Sequence, residues 1–188
     1  MRRLTGLLVV GMAGLALTCF SGHALAAATV CNTGPPPNAP LSGTIVGGLV
    51  VNAGEFCILG GANVSGGVRV NEGGILIACG STISGGFVAD GAANLIFGAE
   101  EIDCAGDVIN GGVQISNTGP GALAPAPSIA LERSTINGGV HLSGNRGPIA
   151  VATNRIAGVL VCKGNAFDLE DEGSANLVTG AVRCKFGD

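Results

Sequence analysis

Seven short segments of the chain repeat one pattern of apolar and polar positions. In each segment the first residue is Ile or Val, the third is Gly, and the fifth and seventh are apolar, whereas the second, fourth and sixth vary. Side chains alternate between the two faces of a β-strand, so this parity is typical of a strand with one buried face. The pattern predicts seven equivalent strands, beginning at Ile45, Val64, Ile83, Ile109, Ile136, Ile156 and Val178.

The spacing of the segments distinguishes between fold classes. Their first glycines lie 19, 19, 26, 27, 20 and 22 residues apart. No linker shows the apolar stripe of a helix, which disfavours alternating strands and helices. A coil of about 20 residues cannot bury its apolar face alone, but stacked coils bury it against each other. We therefore expect an all-β, single-domain parallel β-helix (β-solenoid), right-handed, of about seven coils over residues 43–188, with Ile45, Val64 and Ile83 in one column.

The two glycines in the middle of each segment are not equivalent. The first occurs in all seven copies, whereas the second gives way to Val159 and Ala181 in the last two. Because the first has the buried parity, we predict that it lies where the chain bends or closely approaches its neighbour. Further apolar runs at 56–59, 75–77 and 95–97 predict more strands within the coils, and the two long intervals predict extra loops at 97–107 and 117–131.

Composition limits the classes of function. The 188 residues include 34 Gly, no Trp and no Tyr, and 12% are charged. The formal net charge of −4 and the lack of a basic run argue against nucleic acid as a partner. No residue pattern indicates a cofactor, so we expect none.

The N-terminal residues 1–26 have the pattern of a secretory signal peptide. Arg2 and Arg3 precede an apolar stretch at 4–17, and Ala24-Leu25-Ala26 forms a small-x-small cleavage site. The apolar stretch is too short for a transmembrane helix, so no stable membrane anchor is expected after cleavage. The predicted location is secreted or extracellular, with the periplasm or the cell surface as alternatives. Residues 27–42, which are Pro-rich, are interpreted as an N-terminal lead-in or cap.

Six cysteines follow the predicted signal peptide. An even number of cysteines in an exported protein indicates disulfide bonds. A metal site is not expected, because C-x-x-C is absent and His141 is the only histidine after residue 26. Cys162 and Cys184 share the seventh position of consecutive segments, where in-register strands place Cα atoms about 5 Å apart, as a disulfide needs. Pairing by neighbouring coils adds Cys79–Cys104 and Cys31–Cys57, although the sequence leaves other connectivities open.

Two functions are compatible with these residues. The favoured one is a non-enzymatic structural or binding module, with an unknown protein or glycan as its ligand. The sixth positions of the segments support it, because they form a mixed, moderately apolar outward column. The alternative is a polysaccharide-active β-helix enzyme, a lyase or hydrolase, with calcium or acid–base chemistry at carboxylates of one loop and a base such as Arg69 or Arg183. Its candidate catalytic residues are Glu100, Glu101, Asp103 and Asp107.

The repeated unit [T/N]-[I/V]-x-G-G-[V/L]-x-V resembles a group of bacterial secreted glycine-rich repeat proteins with a parallel β-helix (pectate-lyase-like) architecture. The closing segment, Cys162-Lys163-Gly164-Asn165 followed by Gly180-Ala181-Val182-Arg183-Cys184, shares the resemblance, which covers about residues 31–184. The resemblance implies a β-helix but no activity, so it assigns no site residue.

Overall fold

The structure, a computed structural model, describes residues 27–123 and 126–187 apart from the side chain of Glu101; the predicted signal peptide lies outside this range. The described chain forms twenty β-strands and one short 3-10 helix, Glu100–Ile102. No helix in these residues is long and apolar enough to cross a membrane. The strands are β1 (Thr29–Val30), β2 (Leu41–Ile45), β3 (Leu49–Val51), β4 (Phe56–Val64), β5 (Val68–Val70), β6 (Ile75–Cys79), β7 (Thr82–Ile83), β8 (Phe87–Asp90), β9 (Asn94–Phe97), β10 (Val108–Ile109), β11 (Val113–Ser116), β12 (Ile129–Glu132), β13 (Thr135–Ile136), β14 (Val140–Ser143), β15 (Ile149–Ala152), β16 (Arg155–Ile156), β17 (Leu160–Lys163), β18 (Leu169–Glu170), β19 (Leu177–Val178) and β20 (Val182–Arg183).

Successive turns of the chain add strands to three parallel ladders. The first ladder has the order β1-β3-β5-β8-β11-β14-β17-β20. Strand β4 belongs to the other two, since 56–60 pair with β6 and 63–64 pair with β7. The second ladder continues from β4 as β6-β9-β12-β15-β18, and the third runs from β2 through β4 as β7-β10-β13-β16-β19. Every pairing is parallel, so the predicted all-β parallel solenoid is confirmed, with about eight turns.

Equivalent residues lie over one another, as the repeat predicts. Ile45 is in register with Val64 and Val64 with Ile83, and the column continues to Val178. The fifth positions form a second column, from Leu49 to Val182, on the first ladder. Except at the C-terminal end, both columns are buried in one continuous core. Like residues on like thus stabilise each coil by burial against the next.

Each repeated segment turns a corner, so the expectation of one uninterrupted strand is wrong. Strand β4 ends at Val64 on the third ladder, and β5 begins at Val68 on the first. The two glycines form the corner between them. A Cβ added to Gly66 would lie 2.1 Å from the carbonyl oxygen of Gly47 in the preceding coil. The bend and the close approach predicted for the first glycine are therefore both confirmed, and the close approach is a contact between stacked backbones.

The two long intervals contain the predicted extra loops, and the ladders beneath them are continuous. Strand β12, which follows the second loop, pairs in register with β9, which precedes the first. The predicted lead-in segment also takes part in the ladders: β1 pairs with β3, and β2 pairs with β4. Insertions in this fold thus lie outside the core and leave the stacking of the coils unchanged.

Three disulfides join neighbouring coils, at the pairs expected from the cysteine positions. Their Cα atoms are 5.5 Å apart in Cys31–Cys57, 4.9 Å in Cys79–Cys104 and 4.8 Å in Cys162–Cys184. Disulfides persist in oxidising compartments, so these three indicate an extracellular type of environment.

The Cys162–Cys184 disulfide is expected to hold the last coil, which has a neighbour on only one side. The bond closes a loop with a sequence separation of 22 residues. Replacing both cysteines by alanine is therefore expected to lower the free energy of unfolding by about 3 kcal/mol. Urea unfolding of the signal-free protein measures the loss. Thiol titration of denatured, unreduced wild type is the control and should find no free cysteine; an unchanged stability in the double variant would contradict this role.

Candidate functional site

The two enlarged coils are neighbours, and each carries one of the extra loops. The acidic loop, residues 98–107, follows β9 and contains the 3-10 helix. The proline loop, whose described residues are 117–123 and 126–128, follows β11 in the next coil and precedes β12. Both adjoin the outward face of the second ladder, so two insertions far apart in sequence border the same surface. Insertions of this kind in repeat proteins commonly mark the binding face.

The acidic loop is fixed to the coils on both sides. The disulfide Cys79–Cys104 joins it to β6. In the following coil, Glu132 Oε2 accepts the backbone N–H of Glu100 at 3.1 Å, and Arg133 Nε donates to the carbonyl oxygen of Gly98 at 2.8 Å. The same guanidinium also donates to the carbonyl of Cys104. These contacts, each charge-assisted or covalent, hold the loop in one position.

One buried amide side chain makes three hydrogen bonds to the backbone of the proline loop. Asn94 lies at an outward position of β9 and is fully buried. Its Oδ1 accepts the N–H groups of Ala122 and Leu123, the second at 3.0 Å, and its Nδ2 donates to the carbonyl of Pro127 at 3.0 Å. A single side chain thus satisfies three backbone groups of this loop.

Between the two loops lies an apolar cleft of about 450 Å³. Its floor is one outward column of the second ladder, formed by Ile77, Ile96 and Ala130, which are mutually in register. These residues belong to a hydrophobic cluster separate from the core of the solenoid. The walls come from the acidic loop and from the proline loop, and the wall residues are Ala99, Ile102, Leu123, Ala126 and Pro127. No charged or polar side chain is among the residues that line the cleft.

The described carboxylates that were considered for catalysis do not line this cleft. Glu100 and Asp103 are exposed on the acidic loop, whereas Asp107 is buried at its end. The side chain of Glu101 lies outside the described part of the structure. No group of three His, Cys, Asp or Glu side chains that could hold a metal ion occurs among the described residues.

The candidate basic residues lie on the first ladder, away from the acidic loop. Arg69 is exposed on β5. Arg183 is exposed on β20 at the C-terminal end, where it lines a separate cavity of about 410 Å³ together with Lys163, Lys185 and Asp168. His141 is in register with Gln114 and Val161, as the sixth position of the segments predicts. Neither arginine therefore lies next to Glu100, Asp103 or Asp107, the candidate carboxylates that the structure describes.

Asp107 takes part in a buried ladder of side chains that sequence reasoning missed. At the corner between the second and third ladders, a side-chain oxygen of each coil accepts the backbone N–H of the equivalent residue in the coil before. We call this set the corner ladder; its acceptor residues are Ser81, Asp107, Ser134, Asn154 and Asn176, with N···O distances of 2.7–3.1 Å. The sequence does contain a sign of the corner ladder: in five of the seven repeated segments, a Ser, Asp or Asn lies two residues before the first position.

The carboxyl of Asp107 is the one acidic group in the corner ladder. Its Oδ1 accepts the N–H of Ser81 at 2.7 Å, while its Oδ2 has no hydrogen-bond partner among the described residues. Burial raises the pKa of Asp107 from 3.8 to about 7, and the hydrogen bond from Ser81 opposes this rise. The buried carboxyl is thus part of the hydrogen bonding that joins the coils at this corner.

Asparagines stabilise the corner between the first and second ladders in the same way. Asn145 Oδ1 accepts the N–H of Thr118 at 2.9 Å, and Asn165 Oδ1 accepts the N–H of Asn145 at 3.0 Å. The coils thus have one corner formed by the glycines of the repeated segments and two other corners, and at these two a side-chain oxygen accepts a hydrogen bond from a buried backbone N–H.

Comparisons with known proteins add no functional assignment to this geometry. No family model, no curated protein and no solved structure matches the chain.

Proposed function

We propose that the protein is a secreted, non-enzymatic binding module whose binding face is the cleft between the acidic and proline loops. The observation that carries the proposal is the convergence of both coil insertions on one uncharged, concave surface. Concave, mostly apolar surfaces are the usual binding sites of small ligands. The rest of the solenoid supplies a rigid support, because its coils are stacked in register and joined by three disulfides.

Secretion is supported by two independent features. Residues 1–26 have the three-part pattern of a signal peptide. The six cysteines that follow are all paired, which suits an oxidising compartment. The resemblance to secreted glycine-rich β-helix proteins is in keeping with both, and it stays a prediction.

The alternative, a polysaccharide-active enzyme, has less support. A general acid or base must come within hydrogen-bond reach of the substrate. Of the described candidates, Asp107 is buried and bonded within the corner ladder, while Glu100 and Asp103 project from the exposed surface of the loop. The basic candidates lie on another ladder. Among the candidates whose side chains are described, no acid and base therefore lie around a common substrate position.

A screen of polysaccharides, with and without calcium, tests this function. We expect no depolymerisation, measured by ultraviolet absorbance of unsaturated products and by reducing ends. Turnover would overturn the proposal in favour of the enzyme, and its loss in a Glu100→Gln/Asp103→Asn double variant would place the activity in the acidic loop. A matched control for the loss is Glu72→Gln, an exposed carboxylate in the turn between β5 and β6, outside the acidic loop.

A further inference from the structure

We propose that the cleft binds a small, uncharged, apolar molecule. This inference rests on the proposed function, because it assigns a ligand class to the same binding face. The ligand would lie on Ile77, Ile96 and Ala130, between Ile102 on one side and Leu123 on the other.

The chemistry of the lining selects against sugars and ions. All eight lining residues are apolar: Ile77, Ile96, Ala99, Ile102, Leu123, Ala126, Pro127 and Ala130. A hydroxyl or charge moved into such a site would lose its water without gaining a hydrogen bond from any lining side chain, which costs free energy. The chain also has no Trp or Tyr on which a sugar ring could stack. An apolar molecule has no such cost and gains from the burial of its surface.

The volume of the cleft matches a small molecule. About 450 Å³ falls within the range of small-ligand pockets, roughly 300–1,000 Å³.

The cleft is open to solvent at the acidic loop. Ile102 is 51% exposed at its rim. The other large apolar residues that are exposed in the described chain lie in the first and last coils of the solenoid, and they are Val30, Val46, Phe167, Leu177 and Val182. Ile102 is therefore an exposed apolar side chain in the middle of the molecule, at the rim of the apolar cleft. Such exposure is typical of binding surfaces.

The two loops that form the walls are fixed by residues that do not line the cleft. The acidic loop is fixed by the Cys79–Cys104 disulfide and by Arg133, and the proline loop by Asn94. None of these residues lines the cleft. The cleft is thus formed before a ligand arrives, so binding does not have to order the loops, and this favours affinity for a small ligand.

The test is a fluorescence titration with N-phenyl-1-naphthylamine, an uncharged apolar probe, on the signal-free, disulfide-bonded protein. Wild type is expected to bind the probe saturably, with one site per chain and enhanced emission. Ala126→Leu places extra methyl groups in the cleft, and Ile102→Lys places a charge at its rim. Each should weaken binding by at least about tenfold.

Two matched variants control for general effects of the substitutions. Ala157→Leu adds the same atoms at an exposed corner position, and Val46→Lys replaces an exposed apolar residue in the first coil. Both should bind the probe as wild type does. Ile102→Lys changes an exposed side chain, so it tests the site even if Ala126→Leu does not fold.

The outcomes separate this inference from the function on which it rests. Absence of saturable probe binding, or equal weakening in the cleft and control variants, overturns the apolar ligand and leaves a module that binds something else. Polysaccharide turnover overturns the binding module itself, whatever the probe does. Saturable binding that weakens only in the cleft variants supports both.

Discussion

Alanine at Gly111 is expected to destabilise the protein by about 3 kcal/mol or more, whereas alanine at the adjacent Gly112 should change its stability by less than about 1 kcal/mol. Both residues lie in the same corner of the same coil, and both substitutions add one methyl group. The two variants therefore differ only in what the new Cβ meets.

The expected difference follows from the distances to the neighbouring coils. A Cβ on Gly111 would lie 2.6 Å from the nitrogen and 2.7 Å from the Cα of Gly86. These are backbone atoms of a stacked coil, so they cannot move without separating the two coils. A Cβ on Gly112 would lie 3.3 Å from the carbonyl oxygen of Gly139, a contact that a small shift relieves. The chain itself carries Val159 and Ala181 at this second position.

Urea unfolding of the two variants, with disulfides intact and followed by circular dichroism, measures the difference. A Gly111→Ala protein as stable as Gly112→Ala would show that coils can separate at the glycine corner without cost. The account of why the first glycine occurs in every segment would then be wrong.

The buried columns of the solenoid could be predicted because stacking imposes one rule on every coil. A residue such as Ile83 is surrounded above and below by its own equivalents, so the same apolar choice recurs in the sequence. The first glycine was predictable for the same reason. The corner at this glycine could be predicted only as one of two possibilities, a bend or a close approach, because buried positions keep the same parity whether the strand continues or turns from one ladder to the next.

The corner ladder was missed because its members vary. Serine, aspartate and asparagine all present an oxygen to the N–H of the coil before, so the chemistry repeats while the residue does not. In the sequence these residues look like ordinary turn residues. Asp107 was therefore grouped with the other acidic residues of its loop, although its side chain has the same structural role as those of Ser81, Ser134 and Asn154.

The cleft left a partial signal in the sequence. Strands β9 and β12 are apolar at consecutive positions instead of alternating ones, which is typical of strands covered on both faces. That pattern predicts a cover over Ile96 and Ala130. It does not predict that the cover consists of two loops with a space between them, because the path of the loops depends on Asn94, Glu132 and Arg133 in tertiary contacts.

Asparagine at Asp107 is expected to stabilise the protein at pH 8 and to leave its stability nearly unchanged at pH 4. The pKa of Asp107 rises from 3.8 to about 7 on folding because the carboxyl is buried. Below the lower value the group is protonated in both states and has no effect. Between the two values the unfolded chain releases a proton that the folded chain keeps, so the free energy of unfolding falls as pH rises. Above about pH 7 the loss is complete and amounts to about 4 kcal/mol.

An amide at this position suits the corner without titrating. In the same ladder, Asn154 Nδ2 donates to the carbonyl of Leu131, and Asn176 Nδ2 donates to that of Val151. In the coil that precedes Asp107, the residue equivalent to Leu131 and Val151 is Ala78, so its carbonyl is the expected acceptor. Asp107→Asn should therefore keep the bond from Ser81, offer its Oδ2 position a donor in place of an unpaired acceptor, and remove the fall in stability between pH 4 and pH 7.

Urea unfolding at pH values from about 4 to 8 compares the two proteins. Asp103→Asn is the matched control, because Asp103 is an exposed carboxylate in the same loop, and asparagine tolerates its left-handed backbone, φ 51°. The pKa of Asp90 is lowered by hydrogen bonds from Asn117 and Ser116, so its contribution has the opposite sign and is lost toward acid pH, equally in all three proteins. If wild type and Asp107→Asn lose stability in parallel as pH rises, the carboxyl ionises as readily in the folded chain as in the unfolded one, and the corner ladder does not confine it.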